Sequence, residues 1–380
     1  MLITILTFLL VLSILVIVHE WGHFYAARKF GCKVEEFGFG FPPRLYGFRR
    51  KKDGPDGTLY SINWIPLGGF VRIKGEGGQD STESDSFANK KIWQRGIILA
   101  AGVFMNVVLT IVLITAGYVL GIPQALDGVP ATANIADRKI QIIDVTQNSP
   151  AQRSGIEVGD ALLGYYDATS FNPFVSIPSV QEFFGNHGEE IVSIAVKKVK
   201  DNQERQLQIT PEQLPDRDKA SIGVAIVETG IVSYPVFIAP FKGIETTALL
   251  TKQIFFAFGG LLRDLVVERK VSVDVTGPVG IAVLTGQVAR QGGIYLLYFI
   301  SILSLNLAII NFLPIPALDG GRFLFLVMEK IRRRPIDHQV ENVVHTIGFA
   351  LLLLLVLVVT VRDVRNFSGM FGDWWQRVIN

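Results

Sequence analysis

The chain is short of cysteine, histidine and charge. One cysteine, Cys32, stands among 380 residues. No internal disulfide is possible, and no cysteine-rich zinc site can form. Charged residues make up 18 % against 49 % hydrophobic, and the net charge of +2 leaves no strong field to attract nucleic acid. Few charges, gathered between long apolar runs, are the composition of a membrane protein with water-exposed insertions. Residues 1–18 carry no charge at all. A secretory signal would begin with Lys or Arg and end at a small-residue cleavage site. Neither is present, so the segment is read as a retained span. The span pattern does not repeat along the chain, which argues against a transporter built from repeats.

Four segments are long and apolar enough to cross a bilayer core of about 30 Å, which takes roughly 20 residues. They are about 2–27, 97–121, 294–313 and 343–361. A fifth stretch, 243–262, holds Glu245, Lys252 and Gln253, and its clean apolar run is only 254–262. It reads as an amphipathic helix lying on the membrane surface or on the protein. About thirteen Lys and Arg residues fall between Arg28 and Arg95, and five between Arg322 and Arg334. By the positive-inside bias both loops are expected to be cytoplasmic. The N-terminus, the loop 122–293 and the C-terminal tail then face outside.

That outer loop contains "IQIIDVTQNSPAQRSGIEVGDALLGY", and later "IVSIAVKKVK" and "RQLQITPEQ" around a turn at Asp201–Asn202. The "SPA…G…GD" pattern resembles a PDZ domain over about 140–228. Such a domain takes a peptide as an added strand, with "SIGVAI" (221–226) as its carboxylate-facing loop. One copy is expected.

"HEWGH" occupies residues 19–23, at the tail of the first span. On a helix His19 and His23 share one face, one turn apart, and two neutral imidazoles can bind one Zn²⁺. Glu20 lies beside them, placed to act as a general base. A catalytic zinc needs a third protein ligand and an open position. His187 falls in the outer domain, His338 in a basic loop, and His345 opens the fourth span, where it reads as an interfacial residue. "NLAIINFLPIPALDGGR" (306–322) offers a carboxylate instead. Pro314 and Pro316 end the third span, and Asp319 follows. Asp319 reads either as an N-cap for the next helix or as a functional charge at the edge of an apolar core. The expected orientation brings His19, His23 and Asp319 to the same cytoplasmic face, which favours the ligand.

These stretches resemble the site-2 protease family of intramembrane zinc metalloproteases, in its bacterial, PDZ-containing branch. "HEWGH" and "NFLPIPALDG" carry the likeness, with "FGFGFPPRLYGF", "IPLGGFVRI", "GVFMN" (102–106) and "TGPVG" (276–280) in support. The resemblance implies Zn²⁺ held by His19, His23 and Asp319, with Glu20 as catalytic base. It implies that Asn311 hydrogen-bonds an extended substrate. It also implies a β-hairpin sheet over 35–75 that enters the membrane from the cytoplasm and offers an edge, with Gly68, Gly69 and Phe70, to the substrate.

The expected fold is a polytopic helical membrane protein of four spans, with a membrane-associated β-hairpin region and one extracytoplasmic PDZ-like α+β domain. Its parts are 1–121, 122–230, 231–293 and 294–380. The expected function is a zinc-dependent endoprotease acting inside the bilayer on transmembrane proteins already trimmed outside, of the anti-sigma-factor or signal-peptide-remnant kind. Expected partners are those substrates, the lipid bilayer and a peptide at the PDZ-like groove. The rival reading is a receptor or scaffold whose metal is structural.

Overall fold

A computed structural model describes residues 2–50, 57–78, 82–130, 132–167, 170–199, 203–214, 219–264, 267, 276–334 and 336–366. The chain divides into two compact units, Met1–Gly117 with Pro240–Asn380, and Tyr118–Ala239.

The first unit holds, in chain order, α1 (Leu2–Lys29), β1 (Val34–Arg49), β2 (Leu59–Ile73), α2 (Ile92–Leu120), α5 (Ala239–Arg263), α6 (Pro278–Gln291), α7 (Gly293–Phe312), α8 (Asp319–Arg332) and α9 (His338–Asn366). Among the described residues four helices are long and apolar enough to cross a membrane: Leu2–Lys29, Ile92–Leu120, Gly293–Phe312 and Gln339–Arg365. A helix apolar all round has to be surrounded by lipid or protein. The fourth helix overruns its expected bounds most, because a helix stops where its capping changes, not where its apolar run does. α5 is not among the four. Phe241, Ile244, Phe255 and Phe256 are exposed along it, on the same side as Lys242, Glu245 and Lys252.

Glycines let these helices approach at backbone distance. A Cβ on Gly22 of α1 would fall 2.3 Å from the carbonyl oxygen of Ala101 on α2. Beside them Ala26, Ala27, Ile98, Leu99 and Leu326 form a buried cluster that ties α1, α2 and α8 together. β1 and β2 pair antiparallel, with Val34 opposite Ile73 at one end and Arg49 opposite Leu59 at the other, and with shifts in register from Val34 to Tyr46. Residues 36–39 of β1 pair on both sides, with 59–62 and with 69–72, which leaves 69–72 of β2 with one side unpaired among the described residues. β2 packs against α1.

The second unit holds β3 (Ile122–Ala125), β4 (Asn134–Val145), α3 (Pro150–Arg153), β5 (Ala161–Tyr166), β6 (Phe171–Pro173), α4 (Ile177–Asn186), β7 (Val192–Lys197), β8 (Glu204–Ile209) and β9 (Val224–Ser233). The strand order is β3-β9-β4-β5-β7-β8, with β6 beside β5. Ile142, Leu162, Ile194, Val196 and Ile222 meet Val180 and Phe184 of α4 in one core. β7 and β8 flank the expected turn, whose tip at Asp201–Asn202 lies outside the described residues. The unit runs wider than 122–230 because β9 continues to Ser233, where its last residues pair with both β3 and β4.

Asp160, of the "VGD" stretch, is fully buried and paired with the nearly buried Lys198 at 2.5 Å. Its carboxylate also accepts the N–H groups of Glu157 and Val199 at 2.9 Å each. Removing one partner of a buried pair strands the other charge, at about 3–5 kcal/mol. Asp160→Ala should therefore weaken hydrogen-exchange protection of β5 and β7 in the intact chain by about that amount. Protection unchanged within about 1 kcal/mol, near the value of an exposed pair, would contradict the role given to this pair.

Candidate metal centre

His19 and His23 come off one face of α1, and both are 6 % exposed. Asp319 reaches them from the first residue of α8. His19 Nε2 and His23 Nε2 are 3.2 Å apart, and Asp319 Oδ2 lies 2.9 Å from the first and 3.2 Å from the second. Among the described residues this is the one group of three or more His, Cys, Asp or Glu side chains whose ligand atoms converge. A tetrahedral ion with bonds of about 2.0–2.2 Å spaces its ligand atoms by about 3.3–3.6 Å. The observed triangle needs only a small expansion to take one.

The outward nitrogens of the rings set which lone pair faces inward. His23 Nδ1–H donates to the carbonyl of Ile98 on α2 at 2.8 Å, which leaves Nε2 bare toward the centre. His19 Nδ1 lies 3.4 Å from the amide of Asn106, whose Oδ1 is buried without a partner. Turning that amide over sets Oδ1 on the His19 Nδ1–H and resolves both. Asn106 is itself pinned, since its carbonyl accepts the hydroxyls of Thr110 on α2 and Ser304 on α7. Two imidazoles and one carboxylate, each with its lone pair directed at one point, are the donor set of a three-ligand zinc site with an open position.

Close packing of backbone makes room for this centre. A Cβ on Gly102 would fall 2.3 Å from His23 Nε2 and 2.8 Å from His19 Cε1. Gly320 and Gly321 let the first turn of α8 sit on the end of α7. A Cβ on either would come within 2.4 Å of a carbonyl oxygen, of Leu313 and Ile315 respectively.

Glu20 projects beside the triangle and lines the same two cavities as Asp319. Gly69 lies against Glu20 and Val16, and Gly68, at φ +79, against Val16. Two cavities meet here. One of about 530 Å³ is lined by Glu20, Phe70, Glu76, Asp319, Arg322 and His345 among others. The second, of about 200 Å³, is lined by Val16, His19, Glu20, Leu307, Asn311 and Asp319 among others. Asn311 Nδ2 is 3.4 Å from His19 Nε2. Glu76 and Arg322 form an ion pair at the larger cavity.

The structure thus brings together His19, Glu20, His23, Asn311 and Asp319, with Gly68, Gly69 and Phe70 on the adjoining strand. His187 lies in the second unit, its Nδ1–H on the carbonyl of Phe183 at 2.8 Å. The side chain of His338 lies outside the described residues. Two participants went unrecognised in the sequence. Asn106 carried only a spacing match, and nothing signalled its contact with His19. His345 was read as interfacial, yet it lines the larger cavity.

Residues 7–355 match the family model of Peptidase family M50. The chain is 28 % identical to the Regulator of sigma-W protease RasP of Bacillus subtilis, covering 96 % of this chain and 98 % of that protein. It is 29 % identical to the Zinc metalloprotease RasP of Geobacillus kaustophilus, over 96 % and 98 %. A Clostridium perfringens relative, also named as a zinc metalloprotease, is 32 % identical over 94 % and 97 %.

Gly102→Ala should thrust a methyl group into the ligand triangle while leaving α2 a good helix. The expected result is a loss of zinc affinity of about tenfold or more, the scale of defects in the groups supporting a metal site. Competition with a chelating dye would measure it. Unaltered affinity in the folded variant would place the zinc elsewhere.

Proposed function

This chain belongs to peptidase family M50, and from that premise we propose that it cuts peptide bonds within or near transmembrane segments, inside the bilayer. It is a zinc metalloprotease and a multi-pass membrane protein. The observation that carries the proposal is the convergence of His19, His23 and Asp319 on helices of an apolar bundle. A soluble substrate would have no reason to be met there, whereas a transmembrane helix is already at that depth.

We assign the zinc to His19, His23 and Asp319. Bound there, zinc supplies a Lewis acid that polarises the scissile carbonyl and acidifies water. Glu20 then works as general base, its carboxylate taking a proton from the attacking water and passing it to the leaving amide nitrogen. Asn311, at the smaller cavity, donates to the extended substrate. An α-helix hides its carbonyls in hydrogen bonds, so the substrate must unwind first. Pairing with the edge of β2 at Gly68, Gly69 and Phe70 replaces those bonds and holds the peptide extended. The closeness of Glu20 to Gly69 supports this placement. Exposed Phe41, Tyr46, Phe48 and Trp64 on the hairpin support its insertion among lipids.

The basic segments 28–95 and 322–334 are assigned to the cytoplasm and the second unit to the outside. The second unit is assigned as PDZ-like. Its Ser149–Ala151 turn is stitched to the 221–223 loop, Ala151 N–H donating to Ile222 and Thr146 N–H to Gly223. Residues 224–227 of β9 pair with β4 on one side, while β3 takes only 229–232 on the other. The start of α4 borders that stretch, Ile177 N–H donating to Glu228. An extended peptide would enter between them. Following the name of the Bacillus subtilis relative, we assign as substrates membrane proteins already shortened on the outer side, of the anti-sigma-factor or signal-peptide-remnant kind. The scaffold alternative is not favoured, since a structural zinc is normally closed by four protein ligands and three converge among the described residues.

Glu20→Gln should keep the zinc of the wild type and lose cleavage by about 10²–10⁴-fold, the contribution of a positioned general base. Comparing membrane-derived fragments from cells of the two genotypes measures this. Undiminished fragments from the variant would end the proposal. In a Cys32→Ser background, Arg50→Cys and Arg333→Cys should resist an impermeant thiol reagent added outside intact cells, and Asp201→Cys should react. Labelling of position 50 from outside would reverse the orientation.

A further inference from the structure

Residues 313–318 join α7 to α8 and deliver Asp319. Irregular backbone among apolar helices must find a partner for every N–H. Pro314 and Pro316 have none to satisfy. Leu313 donates to the carbonyls of Ile309 and Ile310 at 3.2 and 3.1 Å, Ile315 to Leu313 at 2.7 Å, and Leu318 to Ile315 at 3.2 Å. Each of these bonds stays within α7 and the turn. Ala317 is the exception. Its N–H donates to Nδ1 of His345 on α9, at 2.9 Å.

Ala317 also has φ +81, a left-handed conformation that a side chain with a Cβ resists. Strain of this kind persists only where neighbours enforce it. α8 begins without a side-chain cap, so the turn is not locked from that end. α9 holds it instead, at two points one turn apart. Besides His345, Gly348 packs on it so closely that a Cβ there would fall 2.3 Å from Pro316 Cβ and 2.8 Å from Pro316 O. An Nδ1 that accepts puts the proton of a neutral imidazole on Nε2. That nitrogen is buried without a partner, and the residue lines the same cavity as Glu20 and Asp319.

We propose that His345 is a positioning residue for the metal centre: by accepting the Ala317 N–H it fixes the strained turn that aims Asp319 at His19 and His23. The fourth span thereby takes part in the site without touching the ion. The proposal rests on the reading of His19, His23 and Asp319 as zinc ligands.

The test uses the full chain in detergent, reading zinc affinity by chelator competition and the visible ligand-field bands of the cobalt-substituted protein. His345→Leu should weaken zinc binding by about 10- to 100-fold and shift the cobalt bands. The side-chain oxygen of His345→Asn stands where Nδ1 stood, and this variant should return both readings to near the wild type. His345→Gln carries its polar group at the Nε2 position and should not. A folded His345→Leu protein with wild-type affinity and spectrum overturns the proposal. So does rescue by Gln equal to rescue by Asn, which decides the matter even if His345→Leu fails to fold. Asp319→Ala separates the two levels. If it binds zinc as tightly as wild type, the ligand reading falls and the proposal with it. If it loses zinc while every His345 variant keeps it, only the positioning role is overturned.

Discussion

Three lone pairs directed at one point are the constraint on which the rest of this unit depends. His19 Nε2, His23 Nε2 and Asp319 Oδ2 stand 2.9–3.2 Å from one another, with both imidazoles buried. Without a cation or shared protons they would repel, and burial would magnify the cost. Every neighbour that can be accounted for serves to hold them there. The Ile98 carbonyl and the Asn106 amide take the outer nitrogens of the rings. Gly22 and Gly102 remove side chains where α1 meets α2, so that α2 can come close enough to provide those acceptors. The hydroxyls of Thr110 and Ser304 occupy the Asn106 carbonyl and keep that residue from turning away.

The two kinds of ligand are delivered differently. The histidines ride on a regular helix, whose backbone is satisfied within itself, and 3.6-residue periodicity does the placing. Asp319 arrives from a turn that contains two prolines and a left-handed alanine. Such a turn cannot satisfy itself and has to borrow from α9. The ligand that looks simplest in the sequence is therefore the one most dependent on a distant part of the chain.

That asymmetry explains what could be read from residues alone. His19, Glu20 and His23 were legible because helical spacing by itself puts two imidazoles on one face. Asp319 was legible because a charge beside an apolar span is costly, and because charge bias in the loops sent both motifs to the same face. Asn106 and His345 were not legible as participants. Each acts through a single contact that depends on how helices pack, and a lone histidine at the start of a span has no partner spacing to betray it. The four apolar helices followed from hydropathy, but their ends did not. α9 runs from 338 to 366 where 343–361 was expected, since a helix can carry polar residues past the lipid. The reach of the second unit to 118–239 was hidden for a similar reason. β9 does not end with the core pattern but continues into pairing with β3, a long-range register that local alternation does not encode.

The centre also has a consequence for the stability of the membrane bundle. In the proposed site α1 supplies two ligands, α2 orients them, α8 supplies the third, and α9 holds the turn that presents it. An ion bound by this set is bound only when four separate helices are in register. Binding of that kind stabilises the assembled state by mass action, by about 4 kcal/mol when free metal exceeds its dissociation constant a thousandfold. Among apolar helices in lipid the hydrophobic effect contributes little to association, leaving close packing and a few polar contacts. Here close packing falls at Gly243 against Thr115, Gly277 against Val359 and Gly286 against Thr4, and also at Gly22, Gly102, Gly320, Gly321 and Gly348 around the metal centre. The polar contacts of Ile98, Asn106, Ser304 and His345 cluster in the same place. Part of what holds the bundle together therefore also shapes the site, and a change that loosens the contacts there loosens both.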